Sequence, residues 1–208
     1  MTGITTKTGR STMVRHILPV LAAALLASSA YAQDDVQDPG EGQSQSQEQA
    51  QGQAQEQSAE RRTNSASFVD AEGQENGNAE LTEVASGGVL IKLEVTGLPA
   101  GQWVAFHVHE TGECDAETDH ESAGGHFNPG PNEHGFLVED GPHVGDMPNQ
   151  YVGDDGTLRA EVFNPMVTLA EGETSIVGRA LMIHAGADDY ESQPSGDAGD
   201  RLACGVIE

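Results

Sequence analysis

Basic residues are the scarcest feature of this chain. Nine Lys plus Arg stand against 34 Asp plus Glu, for a formal net charge of -25. Such a surface has nothing to hold phosphate backbones or anionic lipid, so nucleic acid and acidic membranes are excluded as partners. Long hydrophobic runs are also missing. The longest, Ile17 to Ala27, falls well short of the roughly 20 residues that cross a bilayer. Sustained helical periodicity is absent, which excludes a bundle. Cysteine is limited to Cys114 and Cys204. They are either one disulfide or two buried thiols, and an exported setting favours the disulfide. Such a bridge closes a loop of about 90 residues, for which loop entropy gives roughly 4 to 5 kcal/mol. No cysteine lies near residue 33 to take a lipid, so no membrane anchor is expected.

The chain divides into three parts. Residues 1–32 contain no acidic residue; Lys7, Arg10 and Arg15 precede or adjoin the apolar run, and Ala30-Tyr31-Ala32 closes it. That order is a signal peptide with cleavage before Gln33, so a periplasmic or secreted protein is expected. Residues 33–64 form a low-complexity segment in which every odd position from Gln43 to Gln57 is Gln. With almost no apolar side chains to offset ordering entropy, it reads as a disordered tether.

Residues 65–208 carry the folded domain. Short apolar or alternating runs recur between Gly, Pro, Asn and Asp: Ala66–Asp70, Ala79–Ala85, Val89–Val95, Trp103–His109, Leu158–Phe163, Ile176–His184 and Cys204–Ile207. Strands at this spacing predict an all-β sandwich or barrel. Two long segments, Glu110 to Gln150 and Ala185 to Ala203, lack strand pattern, and histidines fill or flank both. Structureless loops of that length are usually functional.

Seven of the eight histidines fall in the domain. His107 and His109 occupy positions i and i+2 of a strand-like run, so both imidazoles face one side and Val108 the other. His126, His134 and His143, followed by Asp146, make a nitrogen-plus-carboxylate set suited to zinc. A metal would cross-link a polar loop that cannot otherwise offset its ordering cost. His184 ends another alternating run. Imidazole-rich sites suit copper and zinc.

Several stretches together resemble the copper/zinc superoxide dismutase family. They are Phe106-His107-Val108-His109-Glu110, Gly124-Gly125-His126-Phe127-Asn128-Pro129, His134-Gly135, His143-Val144-Gly145-Asp146, Gly178 to His184 and Gly199 to Val206. The resemblance implies a Greek-key β-barrel with a long zinc-binding loop and a second long loop over the metal site. By position it implies copper at His107, His109, His126 and His184, zinc at His126, His134, His143 and Asp146, and His126 as the bridge. It implies a Cys114–Cys204 disulfide, Arg201 beside copper, and Asp188 linking a copper histidine to a zinc histidine. The activity implied is conversion of superoxide to oxygen and hydrogen peroxide by copper cycling between Cu(II) and Cu(I), with His126 taking a proton in the reduced state. Superoxide is then the partner; a homodimer is left open. The alternative is an exported copper- and zinc-binding buffer or chaperone-like protein on the same fold, which needs the ligands but not Arg201.

The chain departs from the family pattern in three places. Val104 stands where a histidine is usual. His120 has no counterpart and reads as solvent-facing or as an adventitious ligand. The segment Asp188 to Arg201 has no lysine and holds Asp188, Asp189, Glu191, Asp197 and Asp200, so weak electrostatic attraction of the anionic substrate and tolerance of salt are expected.

Overall fold

The computed structural model describes residues 61–208. The expected signal peptide and nearly all of the Gln-rich tether lie outside the described residues. Nine strands and two short 3-10 turns follow in order. The strands are β1 (Thr63–Asp70), β2 (Glu75–Glu83), β3 (Val89–Val95), β4 (Trp103–Val104), β5 (Phe106–His109), β6 (Gln150–Tyr151), β7 (Leu158–Asn164), β8 (Ala180–His184) and β9 (Arg201–Ile207). Seven of them form one antiparallel sheet in the order β5-β8-β9-β1-β2-β3-β7, while β4 and β6 pair separately. The sheet curls on itself as the expected Greek-key barrel, with crossovers between β3 and β7, β5 and β8, and β9 and β1.

Alternation builds the core. In β3, Val89, Ile91, Leu93 and Val95 are buried, while Lys92 and Glu94 are exposed. Burying Ile91 alone contributes roughly 1.5 to 3 kcal/mol. β5 and β8 break the pattern, because every residue in each is buried. One face of these strands serves the core, through Phe106, Val108, Leu181 and Ile183. The other is covered by loops, and there His107, His109 and His184 are enclosed.

The departures from the expected strands have local causes. The run Trp103–His109 splits at Ala105, whose amide donates to Gly186 O and whose carbonyl accepts from the His184 amide. The run from Ile176 becomes strand only at Ala180, since Gly178 turns the chain with φ +77°. β1 begins at Thr63, two residues before the expected boundary, and β6 arises inside the first long loop by pairing with β4.

Candidate metal centre

Backbone pairing seats the first long loop on β5. The Val108 amide donates to Gly145 O and the Phe127 amide to Val108 O. Isolated bridges join His107 to Asp146 and His109 to His126. Three histidines and Asp146 are thereby brought together before any ion is considered. His134 and His143 arrive on the outer part of the same loop, and His184 arrives from β8, which pairs with β5.

Two groups of buried side chains result. His107, His109, His126 and His184 form one; His126, His134, His143 and Asp146 form the other. Within each group, one ligand-type atom per residue lies within 4.8 Å of the rest. His126 belongs to both. Every residue that the sequence assigned to copper or zinc is present, and none falls outside its set.

The ring nitrogens divide into two kinds. One kind is held by the protein: His109 Nδ1 meets Gly124 O at 3.0 Å and His184 Nδ1 meets Gly199 O at 3.2 Å. His107 Nε2 and His134 Nε2 meet opposite oxygens of Asp188, at 2.8 and 3.0 Å. The other kind is left over. His107 Nδ1 and His126 Nε2 are buried without a hydrogen-bond partner, and His134 Nδ1 and His143 Nδ1 meet only the Asp146 carboxylate, at 3.1 and 3.5 Å. His109 Nε2 and His184 Nε2 face one another at 3.3 Å. Buried polar atoms without partners are costly, about 1 to 3 kcal/mol each. Here they converge, which is the arrangement a metal ion requires of neutral imidazoles. The residues present therefore fit two metal ions.

Charge is distributed to match. Burial holds His126 down to about 4 and His184 to about 3, and burial also places His109 well below its ordinary value. All three are neutral and ready to ligate near pH 7. Burial opposes a charge on His134 too, but Asp146 and Asp188 outweigh it and raise this group to about 9. Burial also works against charge on Asp146 and Asp188, yet hydrogen bonds from the histidines keep both carboxyls well below the usual range. Asp146 Oδ1 meets His126 Nδ1 at 2.8 Å, while its Oδ2 accepts from the amides of Gly135 and His143.

The second long loop supplies the support. Asp188 receives a hydrogen bond from Asn149 Nδ2 at its carbonyl, and its amide donates to Asn149 Oδ1. Gln193 clamps His134, accepting from its amide and donating to its carbonyl. Asn149 and Gln193 carry no signal in the sequence, because neither is of a ligand type and each works through main-chain contacts.

Cys114 and Cys204 form a disulfide. Three residues before Cys204, Arg201 donates to His120 O at 2.7 Å and to Gly124 O at 2.9 Å. A cleft of about 820 Å³ opens on this edge, lined by His109, His126, His184 and Arg201 as well as Glu110, Asp119, Glu121 and Asp200. His120 corrects an expectation: it is fully buried rather than solvent-facing, and it belongs to neither ligand group. The segment before the shared histidine folds inward over β9 and carries it there.

An antiparallel barrel that encloses two imidazole-rich sets sharing one histidine defines a dinuclear metalloprotein of the β class. Comparison with known proteins makes this specific. The model of the family described as copper/zinc superoxide dismutase matches residues 75–207, and the chain belongs to that family. It is 53% identical over 146 residues to a protein of Aquifex aeolicus (strain VF5) named Superoxide dismutase (Cu-Zn) 2, covering 68% of this chain and 84% of that one. Among solved structures, a SOD-like protein from Bacillus subtilis aligns with a TM-score of 0.67 at 38% identity, covering 69% of this chain and 97% of the other. The Cu/Zn superoxide dismutase from Brucella abortus aligns with a TM-score of 0.59 at 30% identity, covering 71% and 100%.

Proposed function

We propose that the chain converts superoxide to oxygen and hydrogen peroxide, two superoxide anions and two protons giving one of each. The single observation that carries this reading is His126. One of its ring nitrogens is partnerless within the first histidine set, and the other meets the Asp146 carboxylate of the second. The reading assigns copper to His107 Nδ1, His109 Nε2, His126 Nε2 and His184 Nε2. It assigns zinc to His126, His134 and His143 through Nδ1, and to Asp146.

Bound copper would supply the one-electron exchange with superoxide. The remaining work falls to residues. Arg201 presents a guanidinium in the cleft and draws the anion toward the histidines. His126 Nε2 can hold a proton where peroxide is formed. Asp188 fixes the tautomers of His107 and His134 by binding the nitrogens that do not face the metal sets. The enclosed second set stiffens the long loop; zinc has no redox role of its own.

The disulfide and the N-terminal sequence pattern support work outside the cytoplasm, after removal of residues 1–32 and with residues 33–64 as a tether.

Direct observation of superoxide decay by pulse radiolysis on the copper- and zinc-loaded protein tests the activity. Catalysis that disappears when copper is removed is expected. A fully metallated protein that leaves superoxide decay unchanged would move the function to metal binding.

A further inference from the structure

His120 is the one histidine of the folded domain outside both metal sets. It is fully buried, and neither ring nitrogen has a hydrogen-bond partner. Its backbone adopts the left-handed conformation, φ +59°, at the entrance to the 3-10 turn Glu121–Ala123. A non-glycine residue holds that conformation only where its surroundings enforce it. Three main-chain contacts do so. The His120 amide donates to Asp115 O, and its carbonyl accepts both from the Ala123 amide and from Arg201.

The ring thus sits behind the carbonyl that holds the cation of the cleft. Four groups face it. Arg201 of β9 is positive; the Asp70 carbonyl at the end of β1 and the carboxylates of Asp119 and Asp70 favour a proton. Burial is the largest influence on the ring and Arg201 adds to it. Both oppose a positive charge there, more strongly than the Asp70 carbonyl and the two carboxylates favour one. The Asp70 carboxylate is already engaged by the amides of Glu72 and Gln74. A neutral imidazole fits this position. A charged one must leave it, and the turn that carries the ring also carries the carbonyl.

We propose that His120 is a positioning residue for Arg201: when its ring takes a proton from solvent, the His120 carbonyl withdraws from the guanidinium and superoxide turnover slows. The inference rests on the dismutase reading above and extends it to acid regulation. Arg201 then keeps only its contact with Gly124 O, and Glu121 Oε2, 3.6 Å from Nη2, is free to pull it outward.

The test uses the full chain loaded with copper and zinc, in the native form and as His120→Phe and His120→Leu. Both variants keep an apolar group in the buried space and cannot take the proton. Rates of superoxide decay are measured over about pH 5 to 8, with metal content determined on the same samples. The native rate is expected to fall, below the midpoint of the ring, to a lower plateau, the whole drop being no larger than the roughly tenfold or more that Arg201 itself contributes. Both variants are expected to hold their neutral rate until metal is released. If both variants follow the native acid limb, or if the native limb coincides with metal loss, the proposal is wrong. A readout without catalysis separates it from the dismutase reading. With copper in its reduced, diamagnetic form, the nitrogen NMR signal of the Arg201 guanidinium should shift with pH in the native chain and stay still in His120→Phe. A shifting signal without dismutation would overturn the activity and keep the positioning role. A signal equally mobile in both proteins would overturn the role.

Discussion

Gly196 lies so close to Asp188 that a Cβ added to it would overlap the carboxylate, and its φ of +71° is one that side chains rarely adopt. The same Cβ would come within 2.7 Å of His134 Nε2. The backbone of the second long loop is therefore packed directly against the link between the two metal sets. Gly196→Ala is expected to push Asp188 out of place. The variant should surrender zinc to a chelator faster than the native protein, followed by metal analysis, while its β-sheet circular dichroism is unchanged. Equal release rates would show that the loop yields without disturbing Asp188.

Asp188→Asn keeps the volume and removes the charge. An amide can accept from only one of the two imidazoles through its oxygen, so His107 and His134 are no longer both held in one tautomer. Metal affinity should drop about 10- to 100-fold, as is usual when such a supporting group is lost. Competitive titration against a chelator measures this; an unchanged zinc affinity would mean that Asn149 and Gln193 suffice to hold the loop.

The Arg201 guanidinium hydrogen-bonds to two carbonyls and to no side chain of either metal set. Arg201→Ala should therefore retain both metals and lose catalytic rate. The loss of a charge-assisted contact with the anion, about 1.5 to 3 kcal/mol, corresponds to roughly tenfold or more. Copper missing from the purified variant would assign Arg201 to structure instead.

The metal-free protein should be most stable near pH 6.5, the ordinary value of an unfolded histidine. His126 and His184 stay neutral in the fold down to about 4 and 3. The unfolded chain therefore binds more protons below 6.5, and stability falls as pH drops through that window. His134 works in the opposite sense. Raised to about 9, its contribution is complete below 6.5 and is lost as pH climbs through 9. Urea midpoints on either side of pH 6.5 check this. With zinc on Nδ1, His134 is already neutral and keeps only the Nε2 proton held by Asp188, so the alkaline decline should vanish.

Salt should not slow this enzyme. Among the residues lining the cleft, Arg201 is the only lysine or arginine, against Glu110, Asp119, Glu121 and Asp200. Attraction is short in range, and the surrounding charge repels an anion. Raising salt to about 1 M shortens the screening length to roughly 3 Å, which hides distant carboxylates more than the nearby guanidinium. The rate should hold level or rise with salt, measured by pulse radiolysis. A steep decline would reveal an attractive field that the lining residues do not explain.

The two buried sets were legible in the sequence because ligation demands particular residue types and several short motifs coincide with one family's pattern; His107-x-His109 alone would be a weak signal. Strand alternation in Val89–Val95 was legible for the same kind of reason, since one face meets the core and the other water. What escaped was the geometry of main-chain contact. Asn149 and Gln193 act through backbone groups that any sequence contains. The β4–β6 pair is two residues long on each side, too short for a periodic signal. His120 looked exposed because it sits among Glu, Asp, Thr and Ser, and only the inward fold of its segment, held by Arg201, buries it.

The disulfide joins more than a loop to a strand. His120 and Gly124, whose carbonyls grip the guanidinium, lie six and ten residues beyond Cys114, and Arg201 lies three residues before Cys204. Bond and grip close one short circuit. A thiol reductant opens its covalent half and leaves the cation on two hydrogen bonds between segments free to part. The chain should therefore turn over more slowly once the bond is reduced and regain its rate on reoxidation, so that activity reports the redox state of its surroundings.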